Sequence, residues 1–385
     1  MSNVSIFHLP NRSLFGAGCL KEIGRQAAGF NIKRFLLVTD NFLAKSKACR
    51  RIHDLLKNEQ IEITLFDKTS PNPTLQNVYD AHNLFVKTNC GGVISLGGGS
   101  SHDCAKAVSI LATNSAPLEQ YEGVDKFPHK GSPLITINTT AGTASEITNC
   151  FIITNTATNT KLIFEGVNAL ADIAVNDPEL MLSLPAGLTA STGMDALTHA
   201  VECYVSTLSF KLTNDLALLA VRYIFQNLST AVQNPDDLNA RENMIYGEYI
   251  AGMAFGNGGV GIVHAIAHAL GGIYDLPHGL CNAILLPHVI RYNTQICAAR
   301  YADLYTVIAP AKSKGMSANA ACEAFVAEVE NLSHTIGTDR PLHTLGVQKE
   351  DFDKIAAKAL LDSCCETNPI FPKKEDIIQI LNNAF

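Results

Sequence analysis

The chain has 385 residues, 47% of them hydrophobic and 17% charged, a balance that suits a globular protein long enough for two domains. Its net charge of −7 leaves no basic footprint for nucleic acid or an anionic membrane. Eleven cysteines, an odd number without a C-x-x-C pair, read as reduced thiols of a cytoplasmic protein, and neither a signal peptide nor an apolar run of membrane-spanning length is expected.

The first half alternates strand and helix signals. Residues 34–40 (RFLLVTD) form a continuous apolar run closed by Asp40, as a strand buried on both faces would. A helix is predicted over about 43–58, with Ile52, Leu55 and Leu56 as its apolar positions, then a strand over 61–66. Residues 70–74 (SPNPT) are a turn signal, and Pro73 and Thr74 open a helix to about 88. A buried strand over 92–96 runs straight into Gly97-Gly98-Gly99-Ser100-Ser101, and a helix follows from about 102 to 112. Another strand covers 133–138 and ends in TTAGTAS; 150–155 and 161–164 read as a hairpin, and 173–176 as one more short strand. Strands and helices alternating at this spacing predict a parallel α/β sheet. After Leu184 the pattern changes to helical segments at about 186–207, 211–232, 238–256, 260–274, 280–310, 316–335 and 350–363. The expected organisation is an α/β Rossmann-like domain over 1–184 and an all-helical domain over 185–385.

Three features of the first half point to a nucleotide. Glycines at a strand–helix junction let backbone approach a ligand, and the helix N-terminus supplies free N–H groups and positive dipole, so Gly97, Gly98, Gly99 and Ser100 form a candidate pyrophosphate cradle. This is not the G-x-G-x-x-G fingerprint of a conventional dinucleotide fold. Thr139, Thr140 and Thr143 end the neighbouring strand, where their hydroxyls could face the same ligand or cap turns. Asp40 ends the first strand of the sheet, a position from which a carboxylate accepts hydrogen bonds from ribose hydroxyls and repels a 2′-phosphate; it could equally cap a helix.

The second half carries a candidate metal site. His264 and His268 are four residues apart in VHAIAHALGGIYDLPHGL and share a helix face; His278 follows in a predicted turn. Asp195 and His199, also four apart, form a second half-site in GMDALTHAVE. Imidazole and carboxylate without thiolate suit Fe(II), zinc or a similar divalent ion. Spacing alone leaves open which of His264, His268 and His278 are ligands.

Over nearly its whole length the sequence resembles the iron-containing (group III) alcohol dehydrogenases. The likeness rests on VTDNFL at 38–43, PNPT at 71–74, GGGSSHDCAKA at 97–107, NTTAGTASEIT at 138–148 and NDPELM at 176–181. It continues through TGMDALTHAVE at 192–202, VHAIAHALGGIYDLPHG at 263–279 and NAILLPHV at 282–289. Within that family it is most similar to the branch of 1,3-propanediol dehydrogenase, NAD-dependent methanol dehydrogenase and iron-activated ethanol dehydrogenase. The resemblance implies that Asp195, His199, His264 and His278 hold the metal, with His268 beside them as a proton relay or substrate contact. It implies NAD bound by Asp40, Asn72, Gly97, Gly98, Gly99, Ser100, Thr139, Thr140, Thr143, Thr148 and Lys161. Glu202, one turn beyond His199, is a candidate partner for the ligands. The implied reaction interconverts small primary alcohols or diols and aldehydes, with Fe(II) as metal and zinc or another divalent ion as the substitute, in a homo-oligomer between dimer and decamer. Three positions depart from the family pattern: Gly256 where asparagine is usual, Ala171 where proline is usual nearby, and Ile370 where arginine follows Asn368-Pro369. The rival readings are a metal-dependent hydrolase or lyase, which needs no dinucleotide, and a non-catalytic metal- or nucleotide-binding protein.

Overall fold

The computed structural model describes residues 4–385 except residue 159. The first half contains β1 (Arg12–Phe15), α1 (Ile23–Ala28), β2 (Arg34–Val38), α2 (Lys47–Asn58), β3 (Glu62–Phe66), α3 (Leu75–Lys87), β4 (Gly92–Gly97), α4 (Gly99–Leu111), β5 (Gly123–Val124), β6 (Leu134–Asn138), β7 (Cys150–Asn155), β8 (Thr160–Glu165) and β9 (Ile173–Asn176). Six strands form one sheet in the order β1-β9-β6-β4-β2-β3, every pairing parallel. The apolar runs explain this. Phe35 and Leu37 pack on one face with Ile52, Leu56, Ile94, Ile135 and Val175, whereas Leu36 and Val38 pack on the other with Val78, Val93, Ala105 and Val108. Alternate residues therefore fill two cores, and the run is continuous because both faces are covered. The hairpin β7–β8 lies outside this sheet and pairs with β5 in a smaller one.

Local chemistry sets the helix starts. The Ser46 hydroxyl accepts from the Cys49 amide at 3.1 Å to begin α2. Thr74 and Asn77 form a reciprocal capping box at the start of α3, each side chain accepting from the other's amide, at 3.2 and 3.0 Å. The Asp40 carboxylate accepts from the amides of Phe42 and Leu43, both at 2.7 Å, and so supports a short turn that precedes α2.

The second half is helical: α5 (Ala186–Val205), α6 (Lys211–Gln233), α7 (Leu238–Gly258), α8 (Ile262–Tyr274), α9 (His278–Ile308), α10 (Pro310–Ser313), α11 (Ala318–Ile336), α12 (Phe352–Ala359), α13 (Cys364–Thr367) and α14 (Lys374–Ala384). Every residue of α8 from Ile262 to Gly271 is buried. No single described helix is long and apolar enough to cross a membrane; α7 and α8 pass that test only as a pair, bent by 99° at their break.

Several elements differ from the sequence-based expectation. The strand β1 and helix α1 carry too few alternating or periodic residues to be legible; β1 has four residues, none fully buried. Helix α4 begins at Gly99 instead of about 102, because Gly99, Ser100 and Ser101, of turn-like composition, are taken into its first turn. His278 is not in a turn; it is the first residue of the 31-residue helix α9, which accommodates Pro287 internally. The predicted segment 350–363 is interrupted after Ala359, and α13 and α14 follow it.

The chain divides into two compact units: residues 8–140 with 144–182, and residues 183–385 with 141–143 and the described part of the N-terminus. In the first unit, Asp177 ties the N-terminal segment to the end of β9. Its two carboxylate oxygens accept from the amides of Gly18 and Leu20, both at 3.0 Å, and from Glu179 at 3.1 Å. Asp177 is fully buried. Asp177→Ala should leave buried donors without acceptors and lower the unfolding free energy by roughly 2 kcal/mol, measured by urea denaturation, and Asp177→Asn should recover part of the loss.

Candidate active site

The sheet places the nucleotide candidates at strand ends. From β2 the chain moves outward to β3, then returns to set β4 on the opposite edge of β2, so the strand order reverses between β2 and β4. Ligands of open parallel sheets bind beyond the carboxyl ends of the strands at such a reversal. Asp40 follows β2, Gly97 closes β4, and Thr139 follows β6, beside β4. Gly97 has φ +152°, and a Cβ there would lie 2.4 Å from the Ser101 hydroxyl. A Cβ on Gly98 would lie 2.7 Å from the Thr140 hydroxyl. These two positions therefore leave bare backbone ahead of α4, whose first turn carries no acidic side chain. The Thr139 amide bonds the Gly97 carbonyl at 3.0 Å, and the buried Thr140 hydroxyl has no partner among the described residues. Such an orphaned hydroxyl beside backbone bare of side chains suits a phosphate oxygen.

The remaining nucleotide candidates fall into separate groups. Asn72, at φ +48°, accepts from the Lys161 ammonium at 3.1 Å. Thr148 is held by Lys106, a residue sequence reasoning passed over. Lys106 is fully buried on α4 and donates to the carbonyls of Thr148 and Cys150, both at 2.7 Å, and to the Ser145 hydroxyl at 3.2 Å. Burial pushes the Lys106 ammonium down and the neighbouring Asp103 carboxyl up; their mutual attraction works against both shifts. Lys106 thus anchors the loop after β6 to the helix that opens at the cradle. Thr143 does not share the unit of Thr139 and Thr140: residues 141–143 cluster with the helical unit.

In the helical unit, three helices converge on one buried point. Asp195 and His199 sit on α5, His264 on α8, and the donor atoms of these three residues all lie within 4.8 Å of one another. His278 at the start of α9 adds its Nε2, 3.6 Å from the Asp195 carboxylate. This approach needs Gly279: a Cβ there would stand 2.3 Å from the Ser191 carbonyl and 3.2 Å from the Asp195 Cβ, so only glycine lets the end of α9 lie against α5.

Surrounding groups prepare these atoms. Glu202 accepts from His264 Nδ1 at 2.6 Å and from the Val263 amide at 2.7 Å. A proton fixed on Nδ1 leaves His264 Nε2 as a lone pair. Burial works against a charge on His264, but Glu202 overcomes it and raises the imidazole's pKa. Burial and then the nearby His264 hold His199 well below the usual imidazole range, so it is neutral, as a ligand must be. The His199 ring lies between Phe255, stacked at 3.9 Å, and His264 at 4.5 Å. Asn282 shows where the lone pairs point: its amide nitrogen lies 2.7 Å from Asp195 Oδ1, 3.1 Å from His278 Nε2 and 3.3 Å from His264 Nε2. An amide has two hydrogens for these three acceptors, and a cation would satisfy them all. The donor set, one carboxylate and three imidazoles in a buried pocket, fits a divalent ion of the Fe(II) or zinc type.

His268 lies beside this set and outside it. Its ring stacks on His278 at 5.1 Å, and its Nδ1 bonds the Asp362 carboxylate at 2.8 Å. Although burial opposes it, His268 holds Asp362 well below the usual carboxylate range.

Two family models match the chain: iron-containing alcohol dehydrogenase over residues 10–178, and the C-terminal part of the same family over 189–385. The chain belongs to the iron-containing alcohol dehydrogenases. It is 41% identical to the 1,3-propanediol dehydrogenase of Klebsiella pneumoniae, covering 98% of each chain. It is 37% identical to the NAD-dependent methanol dehydrogenase of Bacillus methanolicus, covering 98% of this chain and 99% of that one. The crystal structure of a 1,3-propanediol oxidoreductase superposes with a TM-score of 0.97, at 40% identity and full coverage of both chains. Membership in this family carries the oxidoreductase reading and gives no support to a hydrolase or lyase.

Within this iron-containing alcohol dehydrogenase, Asn282, Phe255, Lys106 and Asp362 are the site residues that sequence reasoning missed. Asn282 is four residues after His278 on one helix and could have been found by the spacing applied to His264; Asp362 is 94 residues from its partner and had no such signal. Glu202 was legible, one turn after His199. Replacing it should weaken metal retention without removing a ligand: Glu202→Gln should raise the metal dissociation constant roughly ten- to a hundredfold, read by competition with a chromophoric chelator.

Proposed function

We propose that the chain is an NAD-dependent alcohol dehydrogenase for small primary alcohols or diols, with Fe(II) held by Asp195, His199, His264 and His278. The observation that carries the metal assignment is the convergence of Asp195, His264 and His278 on the Asn282 amide nitrogen, at 2.7 to 3.3 Å. In this reading residues 1–184 bind NAD and residues 185–385 the metal. The cradle of Gly97, Gly98, Gly99 and Ser100 takes the pyrophosphate, Thr139 and Thr140 offer hydroxyls beside it, Asp40 takes the ribose, and Asn72, Thr143, Thr148 and Lys161 complete the cofactor set. The methanol dehydrogenase relative is NAD-dependent by name, which supports the cofactor.

Asp195, His199, His264 and His278 would hold the ion, which would supply Lewis acidity toward the alcohol oxygen, and the cradle would hold the nicotinamide cofactor, which would supply the hydride acceptor. The protein's own groups do the rest. Asp362 fixes the proton of His268 on Nδ1, so Nε2 carries the lone pair that accepts the proton leaving the alcohol. Glu202 keeps His264 in the tautomer whose Nε2 faces the ion. The apolar residues of α8 exclude water around the ligand set. Asp40 uses Oδ1 for its own turn, which fixes the carboxylate's orientation toward a ribose. The family resemblance implies a cytoplasmic homo-oligomer, between dimer and decamer, and the net charge of −7 offers no basic footprint for nucleic acid or an anionic membrane.

The deciding experiment is a panel of small alcohols and diols assayed at the nicotinamide absorbance band with NAD and with NADP, on anaerobically prepared protein of measured iron content. Turnover that follows iron content and prefers NAD is expected. No reduction of either nucleotide by any alcohol, in protein with a full complement of iron, would overturn the reading.

Two variants separate ligand from neighbour. His264→Ala should lose metal and activity together, whereas His268→Ala should keep its metal and turn over about 10²–10⁴-fold more slowly, the usual contribution of a proton carrier. Metal analysis beside kcat distinguishes the two, and equal metal loss would make His268 a ligand.

Cofactor choice tests Asp40. A carboxylate beside a 2′-phosphate imposes like-charge repulsion of about 1–3 kcal/mol, roughly ten- to a hundredfold in preference for NAD. Asp40→Gly should narrow that preference, mainly by improving kcat/KM with NADP.

A further inference from the structure

A second group of metal-binding side chains lies next to the first. One donor atom each from His268, Asp362 and Cys364 falls within a 4.8 Å cluster. His268 belongs to α8; Asp362 and Cys364 lie in the break before α13 and at its start. Their geometry is organised. Asp362 accepts from His268 Nδ1 at 2.8 Å and from the Cys364 amide at 2.9 Å, and the Cys364 thiol hydrogen-bonds the same carboxylate. The side chains of His268 and Asp362 are about nine-tenths buried, and Cys364 is half-buried. The arrangement differs in kind from the one formed by Asp195 and its imidazoles, because it contains sulfur. Thiolate, imidazole and carboxylate together suit zinc and similar thiophilic ions, and three protein ligands leave a fourth position for water.

We propose that His268, Asp362 and Cys364 form a second, exchangeable site for a thiophilic divalent cation, and that filling it inhibits the enzyme. Binding replaces hydrogen bonds by coordination. The Cys364 thiol gives up its proton to solvent. A cation at His268 Nδ1 takes that nitrogen's electron pair, so the ring's single proton must reside on Nε2. With Nε2 protonated, the imidazole has no lone pair for the alcohol's proton. The inhibitory half of the proposal rests on the proton-carrying role given to His268 above; the binding half does not.

The sulfur supplies the test. Anaerobic, iron-loaded enzyme is titrated with Co(II), and bound cobalt is measured beside the near-ultraviolet thiolate-to-cobalt charge-transfer band. The Asp195–His199–His264–His278 set has no sulfur and gives no such band. The expected result is one further equivalent of cobalt with the band in the native protein, and loss of both in Cys364→Ser, with the iron retained. Saturation without the band in the native protein would overturn the site, and this needs no variant. A band that persists in Cys364→Ser would overturn it too, by assigning the sulfur to another cysteine. For inhibition, Zn(II) should suppress alcohol oxidation by the native enzyme at least tenfold more strongly than by Cys364→Ser. Equal sensitivity would overturn the inhibitory role and place zinc's effect at the iron ligands. A cobalt band present in the native protein and lost in Cys364→Ser, together with equal zinc sensitivity, would mark the role of His268, and not the second site, as the part that failed.

Discussion

The short hydrogen bond between Glu202 and His264, 2.6 Å long and wholly buried, is the constraint on which the helical site depends. An imidazole buried without a partner would be neutral in either tautomer and free to turn. Glu202 fixes one tautomer, and its other oxygen accepts from the Val263 amide, so the same carboxylate fixes the ring and the start of the helix that carries it. Two buried charges or partial charges on α5 and α8 then lock those helices in register. Asp195, two turns before Glu202 on the same face of α5, and His278, on the first turn of α9, approach the same point because Gly279 removes the side chain that would hold the helices apart.

The nucleotide side obeys a different constraint. There the sheet does the positioning. Parallel strands end at one edge, and the order reversal between β2 and β4 separates the loops that follow them. Gly97 and Gly98 keep side chains out of that edge, while Lys106 pins the next loop to α4 through two carbonyls. A buried lysine requires such acceptors, since its ammonium would otherwise lose hydration without compensation. Bare backbone at the cradle and a heavily bonded cation behind it are complementary: the first must be accessible to phosphate, and the second must hold the loop still.

His268 stands between two kinds of chemistry. Its stacking on His278 places it against the oxygen–nitrogen ligand set, and its hydrogen bond to Asp362 connects it to a carboxylate and a thiol that belong to the C-terminal part of the chain. In the proposed reading, this ring serves the reaction as a base or is captured as a ligand, according to what occupies Nδ1. The difference lies in one proton or one cation at a single nitrogen.

The sequence by itself determined the alternation of strands and helices, the two-faced burial of RFLLV and GVISL, the glycine cradle, and the pairs Asp195/His199 and His264/His268. These are local: period two, period 3.6 and residue type at a junction are set within a few residues. It did not determine which histidines converge. His264 and His268 share one face and one spacing, and only the family resemblance separated them before the structure did. Tertiary structure decided that His264 faces Asp195 and Glu202 while His268 faces Asp362, that Asn282 reaches Asp195 and His264 as well as His278, and that β1 joins a sheet whose nearest strand in sequence is not its neighbour. The physical reason is the same in each case. These contacts join residues tens to more than a hundred positions apart, and their partners are chosen by how whole helices and strands pack, which no local period encodes.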